Sequence, residues 1–125
     1  LNPHSGDGGV LGNEEKRIII PAINSANKIG IQAKGPFASD AFFARYNPDN
    51  YDAILAMYHD QGLIPFKMTD NNRGVNFTAG LKIIRTSPDH GTGFDIAGKF
   101  IANHKSMVEA IKLAIFLNKK KKKIK

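Results

Sequence analysis

The stretch "YDAILAMYHDQGLIPFK", residues 51–67, joins two unlike kinds of sequence. Residues 51–57 form a continuous apolar run bounded by turn formers, the pattern of a strand buried on both faces of a parallel sheet. Tyr58, His59, Asp60 and Gln61 then stand in a row beside Gly62, and Lys67 follows a Gly-Leu-Ile-Pro segment. An element packed only for stability has no use for four consecutive polar side chains. The reading is a buried parallel strand with a functional loop past its carboxyl end, and a turn at 62–65 that bends the chain back toward Lys67.

Working outward, "KIGIQAKGPF" (28–37) predicts a short strand stopped by Gly35-Pro36, and "SDAFFARY" (39–46) a short helix from Ser39. Upstream, glycines 6, 8, 9 and 12 make "LNPHSGDGGVLG" a loop. A helix is expected from Glu14 to about Asn24, with Asn13 as its N-cap. Downstream, "GVNFTAGLKIIRTSP" (74–88) reads as two short strands around Gly80, and "DHGTGFDIAGKFIANH" (89–104) as a glycine loop feeding a helix. "KSMVEAIKLAIFLN" (105–118) has the apolar content of a well-buried final helix. Strands alternating with helices through glycine loops point to an α/β layered fold with functional loops at strand ends.

Residues 1–118 read as one unit and 119–125 as a disordered lysine-rich tail. The hydrophobic content of 42% and charged content of 23% suit a globular chain. No apolar run approaches the roughly 20 residues of a membrane span, and no basic-then-apolar leader opens the sequence. A cytoplasmic chain is expected, and one beginning at Leu1 rather than Met reads as part of a longer protein. With no cysteine, any metal site must use histidine, carboxylate or water. Of the net charge of +7, Lys119 to Lys123 and Lys125 supply most, and the body is nearly neutral. The lysine block lacks interleaved aromatic residues, so neither nucleic acid nor a membrane is expected as a partner.

Three histidines, His4, His59 and His90, stand in glycine-containing stretches with an aspartate close by, whereas His104 reads as a helix-start or surface residue. Neutral imidazole ligates transition metals, and its second nitrogen takes a carboxylate or carbonyl partner that fixes the tautomer. Asp7 and Asp60 can be such partners or ligands themselves, and spacing alone does not choose. Lys67, Asn76, Arg85, Thr86 and Ser87 form a second polar set. Its cations suit an anionic substrate, Arg85 as a fork and Lys67 as a point charge, or they face solvent.

Five motifs, "LNPHSGDGG", "GNEE", "AMYHDQGLIPFK", "RGVNFTAGL" and "IRTSPDHGT…DIAGK", together resemble the 4-hydroxythreonine-4-phosphate dehydrogenase family of pyridoxal phosphate biosynthesis, in that family's order. The resemblance implies a three-layer α/β/α fold like the isocitrate and isopropylmalate dehydrogenases, with this chain the carboxyl-terminal portion of a two-subdomain enzyme that works as a homodimer. It implies NAD or NADP as cofactor and a divalent metal, zinc, magnesium or cobalt. His4 and His59 match metal-binding positions, and Lys67, Asn76 and Arg85 match substrate-contacting ones, Lys67 also as a catalytic group. His90, Gly91, Thr92 and Asp95 are placed near the cofactor, in a loop and helix start that cradle the dinucleotide. The implied reaction oxidises 4-phosphooxy-L-threonine and decarboxylates it to 3-amino-2-oxopropyl phosphate. The alternatives are a related four-carbon phosphosugar acid as substrate, threonate or erythronate 4-phosphate, and a non-catalytic folded fragment.

Overall fold

The computed structural model of the chain describes residues 1–69 and 72–123. They fall into two units, Leu1–Pro65 and Phe66–Lys125.

The first unit opens with a tight turn over Pro3–Gly9 whose residues 4 to 8 all have left-handed dihedrals. A π-helical stretch, Glu15–Ile19, follows and runs into α1 (Ile20–Lys28). Pro21 explains the wide turn, because it has no N–H to return to the carbonyl four residues back. The helix thus ends four residues beyond the expected Asn24, and Gly30, at φ +88°, takes the left-handed position that closes it. Residues 31–38 are extended but not paired as a strand. Asn27 holds them instead: its amide donates to Ala33 O and its carbonyl oxygen accepts from Ala33 N. α2 (Ser39–Ala44) forms where expected. Phe42 of α2 stacks on Phe37 at 5.4 Å and meets Tyr51 at 5.3 Å, so an aromatic cluster gathers around this short helix.

The parallel strand expected over 51–57 is absent. Those residues are irregular, and Leu55 is 85% exposed. A strand needs a neighbour to satisfy its backbone, and among the described residues the one sheet is the two-stranded pair of the second unit. The expected turn at 62–65 is also absent. α3 (His59–Thr69) runs through it with Pro65 inside, its start fixed by Gln61 Oε1, which accepts from Met57 N at 2.6 Å.

In the second unit β1 (Val75–Phe77) pairs antiparallel with β2 (Thr86–Pro88), as expected for two strands around Gly80. α4 (Lys105–Lys123) packs along them. Asn103 Oδ1 accepts from Lys105 N and caps it, and His104, exposed, sits at the helix start as read. The expectation of a well-buried helix needs correcting. Ser106 and Ala110 are buried against the strands, while Met107, Val108, Ile111, Ile115 and Phe116 are exposed. Where a disordered tail was expected from Lys119, α4 continues to Lys123; Ile124 and Lys125 lie outside the described residues.

Candidate active site

The "LNPHSGDGG" loop is held by the "GNEE" segment, although the two are separated in sequence. Asn2 N donates to Glu15 Oε1 at 2.8 Å, and the Asn2 amide donates to Glu14 Oε2 at 2.6 Å and Glu15 Oε2 at 2.8 Å. Glu15 is only 3% exposed, so this carboxylate needs those donors. The Asn2 backbone N–H and then its side-chain amide hold the Glu15 carboxyl down at about 2, against an ordinary 4.5. The Asn2 side chain likewise lowers Glu14. Glycine is required where these groups meet. A Cβ at Gly6 would lie 2.7 Å from Glu15 Oε2, and one at Gly12 would lie 2.4 Å from Asn2 Nδ2.

This clamp presents His4, exposed, in a left-handed conformation with φ +49°. Ser5 and Asp7 are also left-handed, at φ +53° and +43°. Non-glycine residues there cost about 1–2 kcal/mol each, and such strain gathers at functional sites. His59 opens α3, and its Nδ1 lies 2.7 Å from Asp60 Oδ1. With the proton on Nδ1, the ring donates a hydrogen bond to the carboxylate and Nε2 carries the lone pair, the arrangement that suits a metal ligand. Donor chemistry therefore fits a metal at His59. Among the described residues no three histidine or acidic side chains converge on one point.

In the second unit, strand alternation sorts the polar residues. Thr86 Oγ1 donates to Ala110 O at 2.9 Å, so the Thr86 side of the hairpin faces α4. Asn76 pairs with Ser87 on the opposite side, and Thr78 N→Arg85 O at 3.1 Å extends the ladder by one pair. Asn76, Ser87, Thr78 and Arg85 thus share the face turned away from the helix. Thr78 Oγ1 accepts from Arg85 Nη1 at 2.8 Å, which steadies the guanidinium on that face. Lys67 Nζ donates to Asp89 O and Asp89 Oδ2, two residues on from Ser87. Asp89 and its partner Ser106 were not singled out from the sequence. Nothing local links residue 89 to 67 or 106.

The proposed cofactor residues are less organised. His90, Gly91 and Thr92 are exposed, with His90 Nδ1 3.1 Å from Gly91 O. Asp95 lies in a three-residue turn, Phe94–Ile96, which ends where Ala97 turns extended. The helix start expected here is absent, because the next helix begins only at Lys105.

A family model described as "Pyridoxal phosphate biosynthetic protein PdxA" matches residues 1–114. The chain belongs to this family. It is 54% identical over 125 residues to a 4-hydroxythreonine-4-phosphate dehydrogenase of Bacteroides thetaiotaomicron, covering 98% of this chain and 34% of that protein. It is 56% identical over 115 residues to one from Prosthecochloris aestuarii, covering 91% and 33%. Among solved structures, the 4-hydroxythreonine-4-phosphate dehydrogenase of Klebsiella pneumoniae superposes with a TM-score of 0.74 at 47% identity, over 91% of this chain and 34% of that one. The PdxA-family chain therefore spans about a third of the length of the curated relatives it matches. It mixes helix and strand, in keeping with the α/β class of the sequence reading.

Proposed function

We propose that this chain is the carboxyl-terminal portion of an NAD- or NADP-dependent 4-hydroxythreonine-4-phosphate dehydrogenase, acting in pyridoxal phosphate biosynthesis. The observation that carries the reading is the family match across residues 1–114, together with 54% identity to a curated dehydrogenase of that name. In the complete protein the fold is a three-layer α/β/α one of the isocitrate dehydrogenase kind, working as a cytoplasmic homodimer with its active site near the subunit interface. Among the described residues no helix is long and apolar enough to cross a membrane.

His4 and His59 are two ligands of a divalent metal, zinc, magnesium or cobalt, completed by residues outside this chain. When bound, the metal supplies Lewis-acid polarisation of a substrate oxygen, and the nicotinamide supplies the hydride acceptor. Asp60 fixes the His59 tautomer so that Nε2 faces the ligand. Asn76 and Arg85 hold the phosphorylated substrate, Arg85 by forked hydrogen bonds to anionic oxygens. Lys67 returns a proton to the enolate left as carbon dioxide departs from the 3-keto acid. His90, Gly91, Thr92 and Asp95 line the dinucleotide.

The test is the formation of NADH or NADPH from 4-phosphooxy-L-threonine by the complete protein, beside the 125-residue chain alone. Turnover is expected from the first and none from the second, since two histidines hold a metal poorly without the remaining ligands. Failure of the complete protein with this substrate, or robust turnover by the isolated chain, contradicts the reading.

A further inference from the structure

Among the described residues, the ammonium of Lys67 is held by Asp89 alone. Lys67 Nζ donates to Asp89 O and to Asp89 Oδ2, each at 2.5 Å. Lysine carries three N–H donors on a flexible four-carbon stem, so an untethered Lys67 would sample many directions. With two donors committed to Asp89, one remains, and its direction follows from the other two. Asp89 is itself anchored at its backbone. Its N–H donates to Ser106 Oγ at 2.8 Å, and the Ser106 hydroxyl donates to Gly74 O at 2.5 Å. Ser106 is 5% exposed in the first turn of α4, and Gly74 immediately precedes β1. Four short links therefore run from the strand entry through the helix start to one ammonium group, all within the second unit.

We propose that Asp89 is a positioning residue for Lys67, aiming its remaining N–H at the enolate to which that lysine returns a proton, with Ser106 holding Asp89 in register. The inference rests on the reading of Lys67 as a substrate-contacting residue. Asp89 acts only through the lysine and touches no substrate itself. Its carboxylate beside a developing enolate would otherwise repel, so its place is justified by the cation between them.

The experiment uses the complete enzyme carrying Asp89→Asn, Asp89→Glu, Asp89→Ala, Lys67→Ala and the Lys67→Ala/Asp89→Ala pair, with steady-state kinetics and melting temperature for each. Asp89→Ala is expected to lower kcat/KM about 10-fold or more, part of the roughly 100-fold or greater loss expected for Lys67→Ala. Asp89→Glu, which keeps the charge, recovers more of the rate than Asp89→Asn, which keeps the shape. The double variant is no slower than Lys67→Ala alone, because a residue that acts through another has nothing left to position. A merely structural Asp89 predicts the reverse: Asn is tolerated better than Glu, and the losses multiply in the double variant. Either result, or wild-type kinetics in Asp89→Ala, overturns the proposal. Turnover by the unsubstituted enzyme reports on the functional reading separately, so the two fail independently.

Discussion

At the scale of single residues, the carboxylate of Glu15 has a consequence that can be measured. Its carboxyl is lowered from 4.5 to about 2 by the Asn2 N–H and amide. A group depressed in the folded state contributes stability that is fully present above the unfolded value and drains away as pH falls through the folded one. The complete protein is therefore expected to lose this contribution between about pH 4.5 and 2. Glu15→Gln should be less stable at neutral pH and show a shallower loss over that interval, read by denaturant unfolding at several pH values. An unchanged acid limb would mean that Asn2 and Glu15 do not pair. The sequence showed Glu14 and Glu15 as the opening of a helix and as part of the "GNEE" motif, not as partners of Asn2. Their partner lies 12 to 13 positions away, and no local rule of spacing reaches it. His59 and Asp60 were legible together because adjacency brings the carboxylate within reach of the ring. Lys67 was singled out in the sequence and Asp89 was not, since their contact spans 22 positions.

At the scale of elements, local chemistry explains what was readable. α2, the start of α4 and the β1–β2 hairpin follow from short-range signals: a short apolar run from Ser39, the apolar content of 105–118 and two strand-like runs about a glycine. The strands expected at 28–37 and 51–57 depended on a partner, and apolar runs do not name theirs; such runs read alike whether or not a neighbouring strand is present. Likewise Pro65 suggested a turn, yet α3 carries it in its interior. The left-handed loop over residues 4–8 was unreadable for another reason, because His4, Ser5 and Asp7 do not advertise positive φ as glycine does. The loop gives its own prediction. Gly6→Ala places a Cβ 2.7 Å from Glu15 Oε2 at φ +78°, and should cost about 1–3 kcal/mol in the complete protein, seen as a lowered unfolding midpoint. Gly8→Ala, where nothing lies within 4 Å of the new Cβ, bears only the backbone cost and should lose less. Equal losses at the two positions would show that the clamp around Glu15 is not tight. At the other end, α4 reaches Lys123, and Lys121 Nζ donates to Lys82 O. An exposed bond of this kind is worth little, and closely spaced lysines repel. Deleting Lys119–Lys125 is expected to shift the melting temperature of the complete protein by less than about 2 °C. A larger fall would show that the tail packs.

At the scale of the whole molecule, the chain is about a third of the proteins it resembles, and its exposed apolar side chains are consistent with that. The motifs made the family legible because five of them stand in the family's order along one chain. The fold was less legible, because the strands expected at 28–37 and 51–57 find no partner strand among the described residues. The central claim is that His59 and Lys67, eight positions apart, serve different ends, metal binding and substrate chemistry. It is tested by calorimetric metal titration of His59→Ala and Lys67→Ala in the complete enzyme, beside steady-state kinetics. His59→Ala is expected to weaken metal binding about 10-fold or more, with some activity restored by excess metal. Lys67→Ala is expected to bind metal as the parent does while kcat/KM falls about 100-fold or more. If Lys67→Ala loses metal as completely as His59→Ala, or if both variants share only a fall in stability, the assignment of separate roles is wrong.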